Sequence, residues 1–138
     1  MGDTGLLVSQ LLRSGNGSED LYRALIYNKL DANLGAVMEN MAAQMLVCNH
    51  HELFFHEYTY RPEDAKREKK YEIDFLLVRN SRVCPLEVKS SAYRNHKSFD
   101  CFLKKYPVRV PERYILYTKD LRKQDGITFI PLYMAMCL

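Results

Sequence analysis

The sequence predicts an α/β (α+β) fold with a helical segment at the N-terminus. Apolar residues recur with a helical period through about residue 50 and with a period of two afterwards. A single helical pattern, near residues 99–106, interrupts the strand-like runs, so the order is helices, three strands, a helix and two strands rather than a regular βαβ series. A chain of 138 residues, 47% hydrophobic, is long enough to close one core.

Leu6, Leu7, Leu11 and Leu12, with Asp3 and Thr4 as capping candidates, predict a first helix. Gly15-Asn16-Gly17-Ser18 breaks it, and Leu21, Leu25, Ile26 and Leu30 predict a second. Asp31-Ala32-Asn33 reads as another interruption. From Gly35 to Cys48 the spacing of Val37, Met38, Met41, Ala42, Met45 and Leu46 predicts a third helix, ended by Asn49-His50-His51. Residues 1–34 are therefore read as an N-terminal helical segment and residues 35–138 as the sheet-bearing domain. Leu53–Tyr60 is aromatic-rich and strand-like. Residues 61–70 hold eight charges in ten positions and read as a solvated loop. Tyr71–Val78 and Val83–Val88 are strands around the hairpin signal Arg79-Asn80-Ser81-Arg82. Phe99, Phe102, Leu103 and Tyr106 predict a short helix before Pro107, and Arg113–Thr118 and Ile127–Ile130 two further strands.

Twenty Lys plus Arg against 17 Asp plus Glu leave a net charge of +3, which permits a nucleic-acid partner without arguing for one. Four cysteines, spread singly as Cys48, Cys84, Cys101 and Cys137, suit a reduced compartment. The opening Met1-Gly2-Asp3-Thr4 lacks the order of a signal peptide, and the uncharged stretch 126–138, with Pro131 inside it, is too short to span a bilayer. A cytoplasmic protein with no membrane partner is expected.

The hairpin places ionisable groups where strands should be buried. Asp74 sits within Tyr71-Glu72-Ile73-Asp74-Phe75-Leu76-Leu77-Val78, and Glu87 and Lys89 within Leu86-Glu87-Val88-Lys89. Because strand side chains alternate, Glu87 and Lys89 share one face and Leu86 and Val88 the other. A turn centred between Asn80 and Ser81 sets Asp74 opposite Glu87, with Cβ atoms about 5 Å apart. The same register would put Tyr71, Ile73, Phe75 and Leu77 on the face of Leu86 and Val88. Two carboxylates so placed repel, and a divalent cation with open positions for water and phosphate, Mg²⁺ or Mn²⁺, removes the repulsion. Lys89 would then orient or deprotonate a water, or stabilise charge on phosphorus. The competing reading is an ion-pair patch on a half-exposed sheet. The apolar flanks Ile73, Phe75, Leu76, Leu77, Leu86 and Val88 speak against it.

Asp74, twelve intervening residues and then Glu87-Val88-Lys89, preceded by a helix bearing Glu39, resembles the PD-(D/E)XK restriction-endonuclease-like superfamily of nucleases. The ordered set Asp3-Thr4-Gly5-Leu6-Leu7, Gly35-Ala36-Val37-Met38-Glu39-Asn40, Tyr71 to Phe75, Pro85-Leu86-Glu87-Val88-Lys89-Ser90-Ser91 and Lys97 to Tyr106 is similar to the uncharacterised C-terminal domain behind the ATPase module of bacterial and archaeal AAA-type proteins. The resemblance implies a mixed sheet flanked by helices, with Glu39, Asp74, Glu87 and Lys89 as the catalytic set and Asp74, Glu87 and Glu39 toward the metal. It implies Mg²⁺-dependent cleavage of DNA or RNA, or else a non-catalytic module that regulates an AAA-type ATPase. Ile73 stands where the superfamily carries its proline, and with no G-x-x-x-x-G-K the chain itself is not expected to hydrolyse ATP.

Beside that set, Glu39 reads equally as an ordinary exposed helix residue. Cys48, His50, His51 and His56 superficially resemble zinc ligands, but capping of the helix C-terminus by His50 and His51 is the preferred reading. The run containing Lys89, Arg94, Lys97, Lys104 and Lys105, interleaved with Tyr93, Phe99, Phe102 and Tyr106, is a candidate nucleic-acid surface; a solvated helix face over an apolar core is its alternative. The uncharged tail from Ile130 reads either as core or as cover for a neighbouring domain.

Overall fold

The computed structural model describes Leu6 and residues 31–63, 66–106, 110 and 112–138. The two helices expected before residue 31 lie outside these residues, apart from Leu6, which is helical. The described chain runs through α1 (Asp31–Cys48), β1 (Phe54–Tyr60), β2 (Lys69–Arg79), β3 (Arg82–Val88), α2 (Lys97–Lys105), β4 (Arg113–Tyr117), β5 (Arg122–Gln124), β6 (Ile127–Pro131) and a final 3₁₀ helix (Leu132–Cys137). The six strands form one mixed sheet of order β1-β2-β3-β4-β6-β5. β1, β2 and β3 are an antiparallel meander, β3, β4 and β6 run parallel, and β5 closes the far edge antiparallel to β6. The expected mixed α/β architecture is therefore present, with six strands in place of five.

Helix α1 buries one stripe, Met38, Ala42 and Leu46, four residues apart as a helix requires. That stripe packs with Leu77, Cys84, Leu86, Val88, Tyr114, Leu116 and Ile130 on one face of the sheet. The predicted interruption at Asp31-Ala32-Asn33 does not occur, and the boundary placed between residues 34 and 35 falls inside α1. Asp and Asn cost a helix only a few tenths of a kcal/mol each, which is about the strength of a preference and not of a break. Its C-terminus is closed by the main chain: His50, with φ of 63°, donates its N–H to the Val47 carbonyl at 2.9 Å and His51 donates to Leu46 at 3.0 Å. This is a Schellman closure, so the histidines act there through their backbone. The tail is core on this side, with Ala135 fully buried beneath α1, while Tyr133 and Met136 remain exposed.

The opposite face carries α2. Phe99, Cys101 and Phe102 pack on Tyr58, Ile73, Ile115, Tyr117, Ile127 and Phe129. The sheet is thus buried on both faces between α1 and α2, which explains why β3, β4 and β6 read as near-continuous apolar runs. Two tight turns set the strand pairing. Asn80 and Ser81, with φ of 51° and 59°, make the two-residue hairpin turn between Arg79 and Arg82. Asp125 and Gly126, with φ of 52° and 73°, join β5 to β6 in the same way. The charged loop is shorter than expected because β2 already begins at Lys69.

Candidate functional site

The β2–β3 ladder pairs Phe75 with Leu86, Leu76 with Pro85 and Leu77 with Cys84, the register expected from the turn. That register carries Asp74 to the level of Glu87. One part of the expectation fails. Phe75 and Leu77 do pack on the side of Leu86 and Val88, but Ile73 and Tyr71 pack on the other side with Leu76. The cause is a β-bulge: along β1 and β2, Phe54 pairs with Leu76 and His56 with Ile73, so Asp74 and Phe75 together oppose Phe55. An extra residue inverts the alternation beyond it and re-aims the side chain at the bulge.

The bulge decides what Asp74 does. Continued, the ladder would bring the Val88 N–H to the main chain of residue 73. Instead that N–H donates to Asp74 Oδ2 at 2.6 Å. The carboxylate thus takes the place of a main-chain acceptor just where β2 and β3 cease to pair, and it is only half-buried. Burial holds its pKa above the ordinary 3.8, against the opposing pull of the Val88 N–H and the Lys89 charge, while Glu72 adds to the rise.

Glu87 lies on β3 between Leu86 and Val88 and level with Ile115, so it faces the α2 side of the sheet. It is the buried charged residue of the described chain, 1% exposed. Its Oε2 meets Lys89 Nζ at 2.9 Å in an ion pair, yet neither carboxylate oxygen has a hydrogen bond of good geometry. Burial pushes its pKa above 4.5; Lys89 opposes the shift, Asp74 adds to it, and the Ser98 hydroxyl of α2 again favours the charged form. Lys89 is half-buried and anchored by its own N–H, which donates to the Leu116 carbonyl of β4 at 2.8 Å. Burial works to lower its pKa, but Glu87, Asp74 and Glu39 outweigh burial and the net shift is upward. The surrounding carboxylates thus favour the ammonium form of Lys89.

Glu39 reaches the same neighbourhood from α1. Burial, then Asp74, then Glu72 raise its pKa, and Lys89 lowers it. Its side chain is largely exposed, so solvent screens it and it weighs least of the three carboxylates. The structure thus brings Glu39, Asp74, Glu87 and Lys89 into one electrostatic neighbourhood, in which one ammonium faces three carboxylates. Sequence reasoning missed Glu72 and Ser98, the second carrying no signal beyond its place in the α2 pattern. Among the described residues no three His, Cys, Asp or Glu side chains stand together closely enough to hold a metal ion as they are. The carboxylate oxygens of Glu87 and of its neighbours Asp74 and Glu39 are nevertheless the hard oxygen donors that Mg²⁺ or Mn²⁺ takes.

The other candidates disperse. His56 Nε2 is hydrogen-bonded to the Tyr106 hydroxyl at 3.1 Å, remote in role from His50 and His51 at the end of α1. Of the candidate basic surface, Arg94, Lys97 and Lys104 are exposed, whereas Lys105 donates to the Thr59 carbonyl at 2.7 Å and lies over the Tyr58 and Tyr106 rings. Lys105 is thus spent on packing α2 against β1. No helix of the described residues is long and apolar enough to cross a membrane.

No curated protein matches the chain, and no solved structure does. Residues 34–135, spanning α1 to the last turn of the chain and including all four candidate residues, match the domain of unknown function DUF4143, and the chain belongs to that family.

Proposed function

We propose that the chain is a nuclease-like domain whose Asp74, Glu87 and Lys89 support Mg²⁺- or Mn²⁺-dependent cleavage of phosphodiesters in DNA or RNA, in the manner of the PD-(D/E)XK superfamily it resembles. The observation that carries this reading is Glu87, a carboxylate 1% exposed that meets Lys89 at 2.9 Å and feels the charge of Asp74, which a bulge lifts out of the regular ladder. One ammonium among three carboxylates leaves an excess of negative charge, which a divalent ion would offset. Asp74 and Glu87 would hold the ion, with Glu39 acting from α1 through water. A bound Mg²⁺ would supply Lewis acidity and a water of lowered pKa. The chain's own part is then defined. The Val88 N–H keeps Asp74 oriented, Ser98 supports Glu87, and Lys89, held as an ammonium, stabilises charge that builds on phosphorus.

The test is cleavage. Wild-type protein should nick DNA or RNA in Mg²⁺ or Mn²⁺, and Lys89→Ala should lose about a hundredfold or more in rate while still binding the ion. Absence of cleavage of single- and double-stranded DNA and RNA in both metals, with an AAA-type ATPase supplied, sinks the enzyme reading. The second reading, a non-catalytic module that pairs with such an ATPase, is favoured by the Lys89–Glu87 ion pair at 2.9 Å, which already offsets the buried charge from within the chain.

A further inference from the structure

Across the sheet from Glu87 lies a second group of charges. Glu87 pairs with Ile115, Ile115 with Phe129, and Phe129 with Arg122, so the four residues form one level row across β3, β4, β6 and β5. Three strand spacings separate the ends of that row, about 14 Å. Ile115 and Phe129 pack on the α2 side, the side of Glu87, and the Arg122 guanidinium lies over the Phe129 ring on that same side, 4.3 Å from its centroid. Tyr93 and Tyr117 complete a cage around Arg122 at 5.2 and 5.9 Å. Tyr93 comes from the segment just after Lys89, and its ring packs on Tyr117, one residue beyond the Leu116 that anchors Lys89. Lys119 donates from Nζ to the Tyr93 hydroxyl at 3.2 Å and lies 5.0 Å from its ring centroid.

This cluster is charged and lacks an ion-paired counter-charge among the described residues. No carboxylate is ion-paired with Arg122 or Lys119 among the described residues, and Arg122 Nε is buried without a hydrogen-bond partner. Aromatic rings hold a guanidinium in place and strip it of water, but they offer it no acceptor. The nearest acids along the chain, Asp120 and Asp125, are exposed and touch the neighbourhood through main-chain carbonyls, which accept from the Tyr117 hydroxyl and from Arg113. A cation so prepared suits an anion with several acceptor oxygens, and the parallel strands β3, β4 and β6 end toward this side, where open α/β sheets bind ligands.

We infer that Arg122 and Lys119, braced by Tyr93, form a phosphate-holding subsite that grips a nucleic-acid strand about 14 Å, or roughly four nucleotides of B-form rise, from the Asp74–Glu87–Lys89 site. The inference rests on the proposed nuclease reading for its substrate class, but it concerns binding and not cleavage. Fluorescence anisotropy with a labelled twenty-nucleotide single strand, in EDTA so that no metal-dependent step enters, reads it directly. Lys119→Gln and Arg122→Gln should each weaken binding about five- to thirtyfold and lower the salt slope by about one, for any base sequence. Arg122→Lys, which keeps the charge, should recover part of the loss and controls for folding. Arg82→Gln, at the exposed closed end of the β2–β3 hairpin, should change affinity less than twofold. Wild-type-like affinity in both Gln variants overturns the subsite, as does a wild type that ignores the oligonucleotide while millimolar inorganic phosphate still raises its Tm. Binding that behaves as expected in a protein that never cleaves would instead uphold the subsite and end the enzyme reading.

Discussion

The two ends of the β2–β3 hairpin obey opposite rules. At the closed end the chain turns through Asn80 and Ser81, and Arg79 pairs with Arg82 and Val78 with Val83 in an uninterrupted main-chain ladder. At the open end a bulge ejects Asp74 from the ladder, and its carboxylate takes over the Val88 N–H. The first end spends its hydrogen bonds on pairing. The second spends one of them on aiming a charged side chain, and the groups gathered there, Glu39, Asp74, Glu87 and Lys89, all sit off their ordinary pKa values. Charge gathered at one end of an otherwise regular element marks a candidate site, a feature that structural ion pairs share.

Breaking the Lys89–Glu87 pair from the lysine side should do the greatest damage. Lys89→Met leaves Glu87 buried without its partner and should cost about 2–3 kcal/mol by urea denaturation, below the full cost of a sealed pair because Lys89 is part-exposed. Adding Glu87→Leu should return most of it. Mg²⁺ should restore stability to Lys89→Met but not to the double variant, and equal metal responses in the two would place the ion elsewhere.

Next in size is Asp74. Asp74→Ala orphans the Val88 N–H and should cost about 1–3 kcal/mol. Asp74→Asn keeps an acceptor, removes a charge from a crowded set, and should stabilise the metal-free protein by up to about 1 kcal/mol while abolishing the Mg²⁺-induced rise in Tm. A Tm rise that survives in Asp74→Asn would reject Asp74 as a ligand.

A pH series sharpens the same contrast. Asp74, Glu87 and Glu39 bind protons more tightly folded than unfolded, so their contribution is fully present below the ordinary values of 3.8 and 4.5 and is lost as pH rises through the raised ones. Lys89 likewise contributes below its ordinary 10.5 and loses that contribution only as pH rises through its own raised value. The advantage of Asp74→Asn over wild type should therefore grow from pH 4 toward neutrality, and the Mg²⁺ response should grow with it as metal and proton compete for the same oxygens. An advantage independent of pH, followed by thermal melts, would mean the carboxylates are not crowded.

The closed end should respond least. Ser81→Gly removes about 1–2 kcal/mol of left-handed strain but adds about 0.5–1 kcal/mol of backbone entropy, for a net gain near 0.5 kcal/mol. A loss would show that the Ser81 side chain does more in the turn than its φ suggests.

Much of this molecule was readable from local pattern. The α1 stripe, the Asn80–Ser81 turn and the register that levels Asp74 with Glu87 all follow from period and turn geometry, which are properties of neighbouring residues. Strand β5 was readable too and was missed: Asp125-Gly126 is a strong hairpin signal, but the flanking Arg122-Lys123-Gln124 is polar and only three residues long. Asp31-Ala32-Asn33 misled in the other direction, because weak propensity does not end a helix whose stripe is buried.

What the sequence determined by itself was which residues form helices, strands and turns, and that a D…E-x-K set rides one hairpin. Only the tertiary structure decided how that set is arranged. The bulge at Asp74 arises from pairing with β1, a strand fourteen or more residues earlier. The burial of Glu87 comes from α2, the arrival of Glu39 from α1, and the row that ends in Arg122 from three separate strand pairings. Periodicity records how each residue meets its near neighbours. Charge burial and side-chain convergence depend on elements distant in the chain, and no local pattern encodes where those will land.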